Sequence, residues 1–264
     1  MRPPGTPIKG FFARFVFVLH MGLCFLLFGL GAVILSLVCL LSWLVPVGKV
    51  RRQTFCRRIV GVGFRTLVEW INLTRIGTIR FEGVKKLHSD LRERPSVVIA
   101  NHPTLIDVVV MIAFVPELNC VVKSSIWKNP FMGVLVRSCG YIANNQGSKV
   151  LEMCSAVVRG GQSLIIFPEG SRTTPGMPSV LSRGAANVAI SAQSHVAIIK
   201  IDAPVAFLTK ELSWYRIPKC YPVLILSYEG QTKVASVHDT SRSRVARETT
   251  ARWTELFNKG IYDE

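Results

Sequence analysis

The sequence predicts an α/β fold: a mixed central β-sheet flanked by helices, preceded by an N-terminal hydrophobic, membrane-anchoring helical segment. Three observations predict it. From Ile76 onward, short β-rich runs alternate with stretches of helical periodicity, as in sheets covered by helices. Before them, Phe11 to Val47 is almost continuously apolar, interrupted by Arg14 and His20. The hydrophobic fraction of 49% and mean hydropathy of +0.36 are high for a freely soluble enzyme and exclude a disordered chain.

A straight helix from Phe15 to Val45 would be roughly 45 Å long, against a hydrocarbon thickness of about 30 Å. Two shorter helices broken near Gly29-Leu30-Gly31 fit better, because paired glycines lower helix propensity. Arg2, Lys9 and Arg14 precede the segment, and Lys49, Arg51, Arg52, Arg57 and Arg58 follow it. By the positive-inside tendency both ends face the cytoplasm, which gives a re-entrant hairpin; a single tilted span is the alternative. Arg57 to Ile71 reads as an amphipathic helix, with Ile59, Val60, Phe64, Leu67, Val68 and Ile71 at helical spacing.

Strands are expected at 76–81, 96–100, 118–123, 140–143, 163–167, 196–201 and 221–228. Helices are expected at 106–114, 148–159, 183–192 and 242–257. No internal repeat interrupts this order.

With 32 Lys+Arg against 16 Asp+Glu, the net charge of +16 suits an anionic membrane face or nucleic acid. The chain holds no zinc-finger spacing, RNP-like strand or basic-region helix, so membrane lipid is the expected partner and nucleic acid is not. Seven cysteines without a C-x-x-C pair argue against a disulfide framework or a structural zinc site and for a reduced, cytoplasmic-side domain.

Two runs carry chemistry. Asn101-His102-Pro103-Thr104-Leu105-Ile106-Asp107 follows the strand SVVIA, placing His102 where a strand ends and Asp107 in the first turn of a helix. A carboxylate holding one imidazole N–H frees the other nitrogen as a base. Phe167-Pro168-Glu169-Gly170-Ser171-Arg172-Thr173 follows the strand SLIIF; Arg172 offers a fork for phosphate or carboxylate, and Glu169 can accept hydrogen bonds from hydroxyls.

Together the runs NHPTLID and FPEGSRT resemble the NHxxxxD and FPEGTR-like boxes of the lysophospholipid/glycerol-phosphate acyltransferase family, over about Ile76 to Ile201. Lys123, Pro130, Gly133 and Gly140 are similar to that family's second box. The resemblance implies an O-acyltransferase. Its His102 is the general base, Asp107 orients it, and Glu169, Gly170, Ser171, Arg172 and Lys123 hold an acceptor such as 1-acyl-glycerol-3-phosphate. The donor is acyl-CoA or acyl-carrier protein, with no metal or resident cofactor. Residues 1–72 are then anchor and amphipathic helix, 73–264 the catalytic domain, at the cytoplasmic face of the inner membrane. Asn145 stands where the second box has an Arg, and Lys200 where a fourth region has a Pro. An acceptor without phosphate, or a polyketide-like one, is therefore an alternative. A thioester or lipid hydrolase is a further one, although no G-x-S-x-G elbow exists to support it. Oligomeric state is not legible.

Overall fold

Continuous runs of β-branched residues such as SVVIA and HVAIIKI form strands buried on both faces, and the helical periodicities between them supply the covering layers. The structure is a computed structural model that describes residues 5–144, 147–173, 177–234 and 241–259. Helix α1 (Phe11–Leu41) ends in a 3₁₀ turn, and the chain reverses into α2 (Lys49–Leu73). There follow β1 (Thr78–Glu82), α3 (Val84–Glu93), β2 (Ser96–Ala100), α4 (Asp107–Phe114) and β3 (Asn119–Lys123). Next come α5 (Ser124–Lys128), α6 (Met132–Ser138), β4 (Ile142–Asn144), α7 (Ser148–Arg159) and β5 (Leu164–Ile166). The last elements are α8 (Gly184–Ala192), β6 (His195–Asp202), β7 (Val223–Lys233) and α9 (Arg242–Asn258).

The seven strands form one sheet in the order β1-β7-β6-β2-β5-β3-β4. Every neighbouring pair is parallel except β6 with β7, so the sheet is mixed as the sequence predicts. Four adjacent parallel strands, β6, β2, β5 and β3, consequently end on the same edge. In open α/β sheets ligands gather at that edge.

Two helical expectations change. Helix α1 runs unbroken through Gly29 and Gly31. Each glycine costs a helix about 1 kcal/mol relative to alanine, and the apolar face that flanks them outweighs this. Phe17, Met21, Cys24, Ala32 and Cys39 recur at helical spacing and are buried against the protein. Phe12, Phe15, Leu19, Leu26, Leu30 and Leu37 form the opposite, exposed stripe. Residues Phe11–Leu44 are long and apolar enough to cross a membrane. The reversal that the sequence places at Gly29-Gly31 falls instead after Leu44. Arg57, read as one of the basic residues flanking the apolar segment, is buried, with its Nη1 donating to Gln162 Oε1 (2.9 Å). Helices α3, α5 and α6 are unanticipated: the latter two are too short to show a period, and α3 buries only Leu87 and Leu91.

The main core lies between the sheet and the α1/α2 pair, joining Cys39, Cys56, Val60 and Val68 to Val98, Met111, Leu118 and Ile199. A second core, under the other face, packs α8 and α9 onto Val97, Ile99 and Val196. Gly61 of α2 sits so close to Pro116, just past α4, that an added Cβ would lie 2.3 Å from the proline Cβ. At Gly63 the nearest atom is the flexible end of Leu35, at 2.9 Å. The expected outcome is a contrast. Gly61→Ala should destabilise by about 1–3 kcal/mol, because overpacking outweighs the roughly 1 kcal/mol gain in helix propensity. Gly63→Ala should be neutral or better. Thermal unfolding of both variants in the same detergent checks this.

Candidate active site

Strand β2 delivers the first run to the carboxyl edge. Asn101, the next residue, grips neighbouring β6 on both sides: Nδ2 donates to Ile201 O (2.7 Å) and Oδ1 accepts from Ile201 N (2.6 Å). That clamp fixes where the chain leaves the sheet. Five residues on, Asp107 opens α4 with its side chain fully buried, and its Oδ2 lies 2.8 Å from His102 Nδ1. Oδ2 also accepts from the Thr104 amide (2.8 Å), and Oδ1 accepts from the Thr104 hydroxyl.

A nitrogen facing a carboxylate must carry the proton, so Nδ1 is the donor and Nε2 keeps a free lone pair. The imidazole is 18% exposed and lies against the Phe167 ring, with centroids 4.4 Å apart. Burial pushes the Asp107 carboxyl above the usual carboxylate range, and hydrogen bonds from His102 and Thr104 partly offset the shift. This pair can take a proton from a hydroxyl or a water placed at Nε2.

The second run follows β5, the other neighbour of β2. Its turn closes with Gly170 N donating to Phe167 O (3.1 Å), and Gly170 adopts φ +70°, which suits a residue without Cβ. Glu169, read from sequence as an acceptor-binding group, is engaged by the protein itself. Its Oε2 accepts from the His102 amide (3.2 Å) and the Thr173 hydroxyl (2.7 Å), and its Oε1 accepts from the Ser179 hydroxyl (2.7 Å). The Thr173 amide returns a bond to His102 O (3.0 Å), so the two runs are laced together. Ser179 is held in turn by Asn258 at the end of α9, through both its amide and its carbonyl.

Arg172 is brought to the same place. Its Nη1 donates to the carbonyls of Leu208 (2.9 Å) and Thr209 (3.0 Å), and it forms no ion pair among the described residues. Gly170 and Ser171 are exposed beside it, and Lys123 is exposed at the carboxyl end of β3. An apolar cavity of about 790 Å³ starts from this constellation. His102, Lys123 and Arg172 supply polar lining, while Phe25, Phe28 and Phe64 of the α1/α2 pair wall its apolar part. The structure thus brings together His102, Asp107, Glu169, Gly170, Ser171, Arg172 and Lys123. Asn145 lies outside the described residues.

Sequence reading missed Thr104, Asn101, Ser179 and Leu208. Thr104 had a local signal, a hydroxyl three residues before the carboxylate at a helix start. The other three act through contacts distant in sequence.

The site is thus a strand-end His–Asp pair that opens on an apolar cavity. The sequence model of the Acyltransferase family matches residues 78–206, just under half of the chain. The chain's curated relatives include the chloroplastic 1-acyl-sn-glycerol-3-phosphate acyltransferase of Arabidopsis thaliana, 27% identical over 47% of this chain and 35% of that protein. The 1-acyl-sn-glycerol-3-phosphate acyltransferase of Cocos nucifera is 24% identical over 75% of this chain and 60% of its own length. That of Helicobacter pylori (strain J99) is 24% identical, covering 70% and 76%. The matches therefore span about a third and three fifths of the first two relatives. The fold is that of the LPA acyltransferase PlsC from Thermotoga maritima, with a TM-score of 0.68, 17% identity and coverage of 93% and 96%.

A carboxyl whose pKa is raised on folding gives its stability while protonated and loses it as pH rises through the folded value. Ionised Asp107 therefore costs stability near neutrality. In Asp107→Asn the Thr104 amide, which can only donate, keeps the side-chain oxygen at the Oδ2 position, so the imidazole stays oriented while the charge is gone. The expected result is a Tm at or above wild type near neutral pH, converging as pH falls below about 4. Any turnover that uses His102 as a base should drop by about 10²–10⁴-fold. Parallel thermal melts and initial rates across pH check both halves.

Proposed function

We propose that this chain transfers a fatty acyl group from acyl-CoA or acyl-carrier protein to the free hydroxyl of a lysophospholipid, in the manner of 1-acyl-glycerol-3-phosphate acylation. The observation that carries the reading is the His102 imidazole, fixed by a buried carboxylate with its free nitrogen beside an apolar cavity of about 790 Å³. That volume lies in the roughly 300–1,000 Å³ range of small-molecule sites, and each methylene buried in it contributes about 0.8 kcal/mol.

The acceptor hydroxyl meets His102 Nε2, which takes its proton as the oxygen attacks the thioester carbonyl. Asp107 stabilises the imidazolium. The tetrahedral intermediate collapses with cleavage of the C–S bond, and the proton passes from Nε2 to the departing thiolate. No acyl-enzyme forms. Arg172 supports an anionic acceptor: with Nη1 committed to backbone carbonyls, its other nitrogens have no partner among the described residues and match a phosphate. Lys123 adds a second positive charge.

Membrane association belongs to the same reading. Helix α1 has one face packed on the domain along its length and one apolar face exposed, so it lies in the interface beside the domain instead of standing free across the bilayer. Lys9 before it, Arg14 in its first turn, and Lys49, Arg51 and Arg52 after it suit the anionic cytoplasmic leaflet.

Purified protein given radiolabelled acyl-CoA, or acyl-carrier protein, and a panel of lysolipids with and without phosphate should form a diacyl product. His102→Ala should lower the rate by about 10²–10⁴-fold. Free fatty acid with no acylated lipid would instead mean a hydrolase, and equal use of acceptors lacking phosphate would overturn the phosphate assignment.

A further inference from the structure

The connection from β6 to β7 is far longer than its geometry requires. Antiparallel neighbours need about 2–5 connecting residues, yet this one occupies residues 203–222 and leaves from the carboxyl edge, where the site is. In its first half Leu208 adopts φ +49°, an unfavourable backbone angle for a branched side chain, while its side chain is only 4% exposed. Its carbonyl does two things at once. It accepts from the amide of Leu105 in the His102 loop (3.0 Å) and from Arg172 Nη1 (2.9 Å), and the next carbonyl, of Thr209, accepts from the same Nη1.

What holds Leu208 in that conformation is α1. The Leu208 side chain belongs to a small core with Ile8, Phe17, Met21 and Ile76, separate from the two cores of the sheet. Phe17 meets Phe207 and Tyr221 edge-on at 6.3 and 6.2 Å, and Phe25 meets Trp214 at 5.3 Å. The chain before α1 extends the seam: Ile8 N donates to Lys219 O (3.0 Å) and Tyr221 N to Thr6 O (3.0 Å). The helix with the exposed apolar stripe and the loop that grips Arg172 are thus one packed unit.

We propose that residues 203–222 form a positioning strap through which the seating of α1 sets the aim of the Arg172 guanidinium, with Leu208 as the positioning residue and Phe17 as its anchor. The strap touches neither His102 nor Asp107 in any hydrogen bond between described residues; it acts on the acceptor grip and on the backbone of the loop carrying His102. Loosening it should therefore weaken acceptor binding and leave the proton transfer alone. The acceptor half rests on the proposed function above; the mechanical half does not.

The test uses full-length protein in detergent micelles, comparing wild type, Phe17→Ala, Phe17→Leu and the milder Trp214→Ala. Leu105 is 46% exposed, so its amide owes its protection to Leu208 O. In Phe17→Ala its hydrogen exchange should accelerate about tenfold or more while β2 and β6 amides stay protected. The KM for 1-acyl-glycerol-3-phosphate should rise roughly 5–10-fold with kcat within about twofold, and the KM for acyl-CoA should not move. Phe17→Leu should restore most of both, and Trp214→Ala should show the same pattern more weakly. Unchanged Leu105 exchange in both Phe17→Ala and Trp214→Ala overturns the strap. So does a fall in kcat alone with acceptor KM unchanged. If wild type binds no phosphate-bearing acceptor but Leu105 exchange still responds, the strap stands and the acceptor assignment fails.

Discussion

A carboxylate with no exposed surface has to be satisfied by the protein, and the site is organised around that requirement. Asp107 is placed in the core by α4, and water cannot solvate it. Its two oxygens are met by the Thr104 amide, the Thr104 hydroxyl and the His102 imidazole, all within the same short loop. Left unpaired, such a group costs several kcal/mol. The loop thus has few conformations open to it, and the one it adopts turns Nε2 of His102 away from Asp107. The same three hydrogen bonds orient the imidazole and keep the carboxylate tolerable.

A second ring of contacts holds that loop in place. Asn101 ties its start to β6, Glu169 collects the His102 amide, and Thr173 returns a bond to the His102 carbonyl. Glu169 is held through Ser179 by Asn258 at the far end of the chain, and Arg172 is held by the β6–β7 connection. Elements on both sides of the sheet therefore converge on the ends of β2 and β5. The adjacency of these two parallel strands, which the sheet order creates, is what lets residues near 102 and 170 share one network.

Much of this was legible in the sequence, for physical reasons. The strands are short, β-branched and bounded by polar turns, so their places could be read, and Ser96–Ala100 coincides with its expected bounds. The His102–Asp107 pairing was legible because both residues lie within one loop and one helical turn. The internal partners of Glu169 were hidden because a carboxylate in a polar turn looks the same whether it faces a ligand or its own backbone. Only the fold brings Ser179 and the His102 amide to it. The continuity of α1 through Gly29 and Gly31 was hidden for a similar reason: the packing of Phe17, Met21 and Ala32 that outweighs the glycines is tertiary. The grip of Leu208 on Arg172 depends on backbone carbonyls, which carry no residue-type signal.

The central claim is that Asp107 holds His102 as the Nδ1–H tautomer with Nε2 free to accept a proton. Nitrogen-15 NMR of protein labelled at histidine, with His102 assigned by difference against His102→Ala, reads the protonation of each ring nitrogen directly. Above the titration of the ring, a protonated Nδ1 and an unprotonated Nε2 are the expected result. A His102 ring carrying its proton on Nε2 would contradict the account.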